Sequence, residues 1–90
     1  MRVCYHGYIT GKVQGVYYRQ TTLEQAQTLG LDGWVKNLAD GRVEVLFEGP
    51  QRAVTELAEW LKQGPVDARV DVVELTEQPV QNLKGFVIQR

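Results

Sequence analysis

The stretch Gly11-Lys12-Val13-Gln14-Gly15-Val16-Tyr17-Tyr18-Arg19 interrupts a strand-like pattern with two glycines and reaches an arginine just where a helical pattern begins. Glycine admits tight and positive-φ backbone conformations that turn neighbouring N–H groups toward one point, and a helix N-terminus adds unpaired donors and partial positive charge. Arg19 adds a planar fork of donors matched to phosphate oxygens. The stretch therefore reads as an anion cradle, although a strand-to-helix turn that binds nothing can be built from the same residues. It is not a Walker loop, since no Gly-Lys-Ser or Gly-Lys-Thr follows. Neither its spacing nor a downstream acid supports a dinucleotide fingerprint.

A chain of 90 residues, 43% hydrophobic, has apolar material for a single two-layer core and is expected to form one domain over residues 1–90. A net charge of −1 and a pI near 5.7 argue against nonspecific binding to nucleic acid or anionic membranes, so any anion site must be local. No apolar run approaches the ~20 residues that span a bilayer, and the first residues carry no sustained apolar signal region, so a cytoplasmic, soluble protein is expected. The single cysteine, Cys4, and the single histidine, His6, provide neither an internal disulfide nor a metal-ligand set. Cys4 is expected to pack as a small apolar side chain, and His6 to be structural or superficial.

Val3, Tyr5 and Ile9 alternate with Cys4, His6 and Tyr8, which predicts a first strand. Thr22, Ala26 and Leu29 recur at helical spacing, and Gly30 is placed to stop that helix. Its start is ambiguous. Thr21 and Glu24 read as a capping box, but a start near Tyr18 leaves N–H groups open for an anion, and the earlier start is preferred. Trp34-Val35 and the run 42–48 flank Asp40-Gly41 as a hairpin, with Val43, Val45 and Phe47 on one face and charges mostly on the other. Pro50 suits the first turn of a second helix reaching Lys62, with the stripe Val54, Leu57, Ala58 and Leu61. The run 68–75 changes phase between Val72 and Val73, as in a bulge or a strand buried on both faces. Phe86-Val87-Ile88 closes the chain as a short strand. The order β, α, β, β, α, β with a short last strand predicts an α+β, ferredoxin-like split βαβ sandwich, two helices on one face of a mainly antiparallel sheet.

Asn37 falls at the mouth of the hairpin. An amide there either supports the turn toward Asp40-Gly41 or serves a site beside it. The stretch 11–19 closely resembles the first signature of the acylphosphatase family, and Gly33-Trp34-Val35-Lys36-Asn37, continuing through Gly41, Val43 and Gly49, resembles its second. The ending Phe86-Val87-Ile88-Gln89-Arg90 is similar to the family's closing strand. Tyr18 departs from a position where the family often has Phe, which adds a hydroxyl that needs a partner.

The resemblance implies hydrolysis of the carboxyl–phosphate anhydride bond of small acyl phosphates to a carboxylate and inorganic phosphate, with no metal, no cofactor and no covalent enzyme intermediate. It assigns Arg19 to phosphate binding, Asn37 to holding the attacking water, and the backbone amides of Gln14, Gly15, Val16, Tyr17 and Tyr18 to surrounding the phosphate. The expected partners are a small acyl phosphate and inorganic phosphate or a similar anion at the loop, with no nucleic acid, no membrane and a monomeric chain. Asp32, Asp40, Glu44 and Glu48 read as turn and solvent-face residues rather than as catalytic acids. A phosphate-binding module without turnover is the alternative. An RNA-binding sheet is disfavoured by the single aromatic and two glutamates of the third strand.

Overall fold

The computed structural model describes residues 1–90. Strands β1 (Arg2–Lys12), β2 (Asp32–Asn37), β3 (Val43–Pro50), β4 (Arg69–Gln78) and β5 (Phe86–Gln89) form one sheet, and helices α1 (Tyr18–Thr28) and α2 (Gln51–Leu61) follow β1 and β3. The strand order is β4-β1-β3-β2-β5. All neighbours are antiparallel except β2 and β5, which run parallel from Gly33 opposite Phe86 to Lys36 opposite Gln89. The architecture is the ferredoxin-like arrangement expected from the sequence.

Both helices cover one face. Val43, Val45 and Phe47 of β3, Ile9 of β1, Val35 of β2 and Phe86 of β5 meet Ala26 of α1 and Val54, Leu57 and Leu61 of α2 in one core. Leu57 and Leu61 are fully enclosed, and burying such a side chain contributes about 1.5–3 kcal/mol. α1 ends as Gly30 predicts: the Gly30 N–H donates to the Gln27 carbonyl at 3.1 Å and the Leu31 N–H to Ala26 at 2.9 Å, satisfying carbonyls the helix leaves open. α2 begins at Gln51, one residue later than expected. Pro50 precedes it at φ −56 and ψ 140, an extended conformation that lets it finish β3 before the helix turns.

Two expectations need correction. Of the two readings of run 68–75, the bulge holds and burial on both faces does not: β4 is an edge strand, largely exposed. Its phase change is a bulge, since Thr10 pairs with Val72 but Gly11 with Val70, leaving Asp71 as the extra residue. Glu48 does not face solvent either. It is 0% exposed and accepts hydrogen bonds from the Gln81 N–H at 2.8 Å and the Leu83 N–H at 2.6 Å. Asp32 likewise accepts from the Gly85 N–H at 2.9 Å and pairs with Arg2 at 3.3 Å.

The reason is topological. β4 and β5 lie at opposite edges, four strand spacings or about 19 Å apart, so the chain between them must cross the sheet. The helices occupy one face, so segment 79–85 runs over the other and covers Glu48 on the central strand. Cys4 lies beside Glu48 in the β1–β3 register and is fully buried, as its expected packing role requires. His6, on the same face, meets Glu44 at 2.6 Å.

Burial first, and then the neighbouring Glu48 carboxylate, raises the Cys4 thiol from 9.0 to about 11. The folded chain thus holds this proton more tightly than the unfolded chain. The associated stability is complete below pH 9.0 and falls away as pH rises through about 11. At pH 8, titration with a thiol–disulfide reagent is expected to proceed at least about a hundredfold more slowly in folded protein than in urea, from thiolate fraction alone. Equal rates would show the thiol to be free.

Candidate functional site

Val13 and Val16 turn their side chains into the core and root the connection between β1 and α1 at two points. Between and beyond them the backbone enters the left-handed region twice, at Gly15 (φ 75) and at Tyr17 (φ 64, ψ 22). A Cβ on Gly15 would meet nothing within 4 Å, so glycine is needed there for its conformation and not for space. Tyr17, a residue 78% exposed, adopts the same region, a conformation that costs a non-glycine residue about 1 kcal/mol or more.

α1 starts at Tyr18, the earlier of the two possible starts, and no side chain caps it. Thr21 does not act as an N-cap. Its hydroxyl instead donates back to the Tyr17 carbonyl at 2.6 Å. As a result no backbone N–H from residue 14 to residue 20 donates to any carbonyl; the first intrahelical bond is from Thr21 N–H to the Tyr17 carbonyl at 3.0 Å. Open donors at a helix N-terminus, joined to a loop with two left-handed residues, make a concave cluster of partial positive charge.

Two side chains hold the cluster in place. Gln14 donates from Nε2 to the Leu38 carbonyl at 2.8 Å and to the Arg42 carbonyl at 3.0 Å, tying the loop to the mouth of the β2–β3 hairpin. Tyr18 is buried, leans on Trp60 with ring centroids 5.7 Å apart, and donates its hydroxyl to the Leu61 carbonyl at 2.7 Å. The hydroxyl at this position thus finds its partner in one of the carbonyls left open at the end of α2. Burial pushes the Tyr18 phenol well above its ordinary range.

Asn37 ends β2 on the same face as Val35, which aims its side chain at the loop. Its Oδ1 is buried and has no hydrogen-bond partner. A buried acceptor left unpaired costs about 1–3 kcal/mol, and Asn37 is one of the residues that line the cleft beside Gly15, Tyr17 and Arg19. Asn37 therefore does not spend its carbonyl oxygen on the hairpin turn. That turn is held by Asp40, whose carboxylate takes the Arg42 N–H at 3.1 Å and Nε at 2.8 Å, contacts that lower its pKa.

The cleft has a volume of about 490 Å³, and Gly15, Tyr17, Tyr18, Arg19 and Asn37 all line it. Arg19 makes no ion pair and no hydrogen bond within the chain, and no acidic side chain lines the cleft. A guanidinium without a counter-ion beside unpaired amides attracts an anion. Gln14 and Val16, also expected at the anion site, are not among the residues that line the cleft. Four lining residues escape the sequence reading: Val13, Gln20, Ile88 and Arg90. Gln20 follows from a helix starting at Tyr18, and Ile88 and Arg90 follow Phe86 at the period of a strand, so both signals are present in the sequence.

A family model described as acylphosphatase matches residues 5–88. An acylphosphatase of Pseudomonas paraeruginosa is 53% identical over 89 residues, covering 99% of this chain and 98% of the relative. Among solved structures, an acylphosphatase from Bacillus subtilis superposes with a TM-score of 0.95 at 36% identity, covering 98% of this chain and 99% of that one. One from Coxiella burnetii gives 0.94 at 39% identity, covering 98% and 93%.

The left-handed Tyr17 is open to a direct test by denaturant unfolding. Tyr17→Gly is expected to be neutral or stabilising by up to about 1 kcal/mol, whereas Tyr17→Val, β-branched, is expected to cost about 1–2 kcal/mol. Equal stability of the two variants would show that residue 17 is not left-handed in solution.

Proposed function

The chain belongs to the acylphosphatase family, and we propose that the cleft between loop 14–19 and Asn37 is where it hydrolyses the carboxyl–phosphate anhydride bond of small acyl phosphates. The enzyme is a hydrolase acting on acyl phosphates. The observation that carries the assignment of the site is the buried, unpartnered Asn37 Oδ1, which shares one cleft with the unpaired Arg19.

In this reading the phosphoryl oxygens lie against Arg19 and the open N–H groups of residues 14–20. Asn37 accepts a hydrogen bond from a water and orients its oxygen toward phosphorus, opposite the acyl oxygen. The water oxygen forms a bond to phosphorus as the bond from phosphorus to the acyl oxygen breaks, and the electron pair leaves with the carboxylate. A carboxylate is a good leaving group and needs little acid assistance. The transition state is helped chiefly by position and by charge on the equatorial oxygens. Asparagine cannot take a proton at neutral pH, so the water proton passes to a phosphoryl oxygen or to solvent.

Gln14 contributes twice, by its backbone N–H and by fastening the loop to the hairpin that carries Asn37. Distance between the donors and the water-orienting amide is thereby set by one side chain bridging two elements. We also read the protein as a monomer of the cytoplasm. No helix is long and apolar enough to cross a membrane, and the net charge of −1 gives no basis for nonspecific nucleic-acid binding.

Arg19→Ala is expected to lower kcat with benzoyl phosphate at least about a thousandfold and to weaken inhibition by inorganic phosphate in parallel. Asn37→Ala is expected to lower kcat about a hundredfold or more while phosphate inhibition stays within about threefold of the parent. Phosphate binding by the intact protein without any phosphate release from benzoyl phosphate would instead make the cleft a binding module.

A further inference from the structure

Segment 79–85 is fastened to the sheet at alternate residues. The N–H groups of Gln81 and Leu83 donate to the two oxygens of Glu48, and the N–H of Gly85 donates to Asp32. The Gly85 carbonyl then accepts from the Gly33 N–H at 2.9 Å, and β5 begins at the next residue. Glu48 is a carboxylate with no exposed surface, and a buried charge is tolerated only when its lone pairs are met. Here they are met by the strap itself, with the Arg2 guanidinium 3.9 Å away.

β5 is held to the sheet on one side only, by β2, because it is an edge strand. It is also short, running from Phe86 to Gln89. Its helix-side face presents Phe86 to the core, then Ile88 at the margin, then Arg90 beyond it, and the last two line the cleft. Asn37 and Arg90 each stand one residue past the final β2–β5 pair, Lys36 with Gln89. A slack entry to so short an edge strand would move that wall of the cleft, while Arg19 and the amides, built on α1, would stay in place.

We propose that Glu48, seconded by Asp32, is a positioning residue: by tying segment 79–85 across the outer face it fixes β5, and with it Ile88 and Arg90, as the wall that meets the acyl part of the substrate. The inference rests on the cleft being the substrate site. It assigns the phosphoryl part to α1 and its loop, and the acyl part to a strand whose position is set from the opposite face of the sheet.

The test is Glu48→Gln, which keeps the size of the side chain but offers one acceptor oxygen to two N–H groups. KM for benzoyl phosphate is expected to rise about three- to tenfold, with kcat and inhibition by inorganic phosphate within about twofold of the parent. Amide exchange at Val87 and Ile88 is expected to accelerate. In an Ile88→Ala, Arg90→Ala background the same change should leave KM unaltered, because the wall through which it acts is gone. Val54→Ala, a destabilising change in α2 away from the cleft, controls for stability alone and should not move KM. If Glu48→Gln does not fold, Asp32→Asn, partly exposed and releasing only the Gly85 N–H, is read for the same split and decides the matter. An unchanged KM, a KM that rises equally in the Ile88, Arg90 background, or a loss of phosphate inhibition in step with KM would overturn the proposal. Failure of the parent protein to hydrolyse benzoyl phosphate would overturn the assignment of the cleft instead.

Discussion

The N–H groups of residues 14–20 have no carbonyl to accept from them, and most of what surrounds them follows from keeping them open. Unpaired donors are tolerable only where water or an anion can reach, so the loop must lie at the surface. They converge only if the chain turns sharply, which requires the left-handed backbone at Gly15 and Tyr17. They persist only if no side chain folds over to cap them, and Thr21 is diverted to the Tyr17 carbonyl one turn away from the helix entrance. A capped helix starting at Thr21 would be locally more stable and chemically inert.

Preorganisation comes from elements that belong to the core. Val13 and Val16 anchor the loop by burial, Gln14 spans to the hairpin, and Tyr18 locks the first helical turn against α2. Their combined effect is to tie the loop that carries the open donors and Arg19 to the hairpin that carries Asn37 and to α2.

Local patterns made much of this legible in the sequence. The alternation of β1, the stripe of α2, the Asp40-Gly41 turn and the glycine stop at Gly30 each express a short-range rule, and each survives folding. Arg19 and Asn37 could be singled out as candidates because they sit within long, gapped stretches, and both line the cleft. Glu48 and Asp32 could not. A carboxylate at the outward position of a strand reads as solvent-facing, and only the knowledge that β4 and β5 occupy opposite edges shows that a segment must pass over it. That fact is a property of strand order, which no window of neighbouring residues encodes. The bulge at Asp71 was visible as a broken phase in the sequence, yet its place at an edge was not, for the same reason.

Tyr18 joins two roles in one residue: its backbone opens the donor cluster and its hydroxyl closes the end of α2. Because α2 contributes Leu57 and Leu61 to the core, the loop cannot peel away without exposing that core. The candidate site is accordingly tied to the hydrophobic core through α2. On heating, loss of catalysis and loss of the fold should be a single event, with no temperature interval in which a folded but inactive species accumulates.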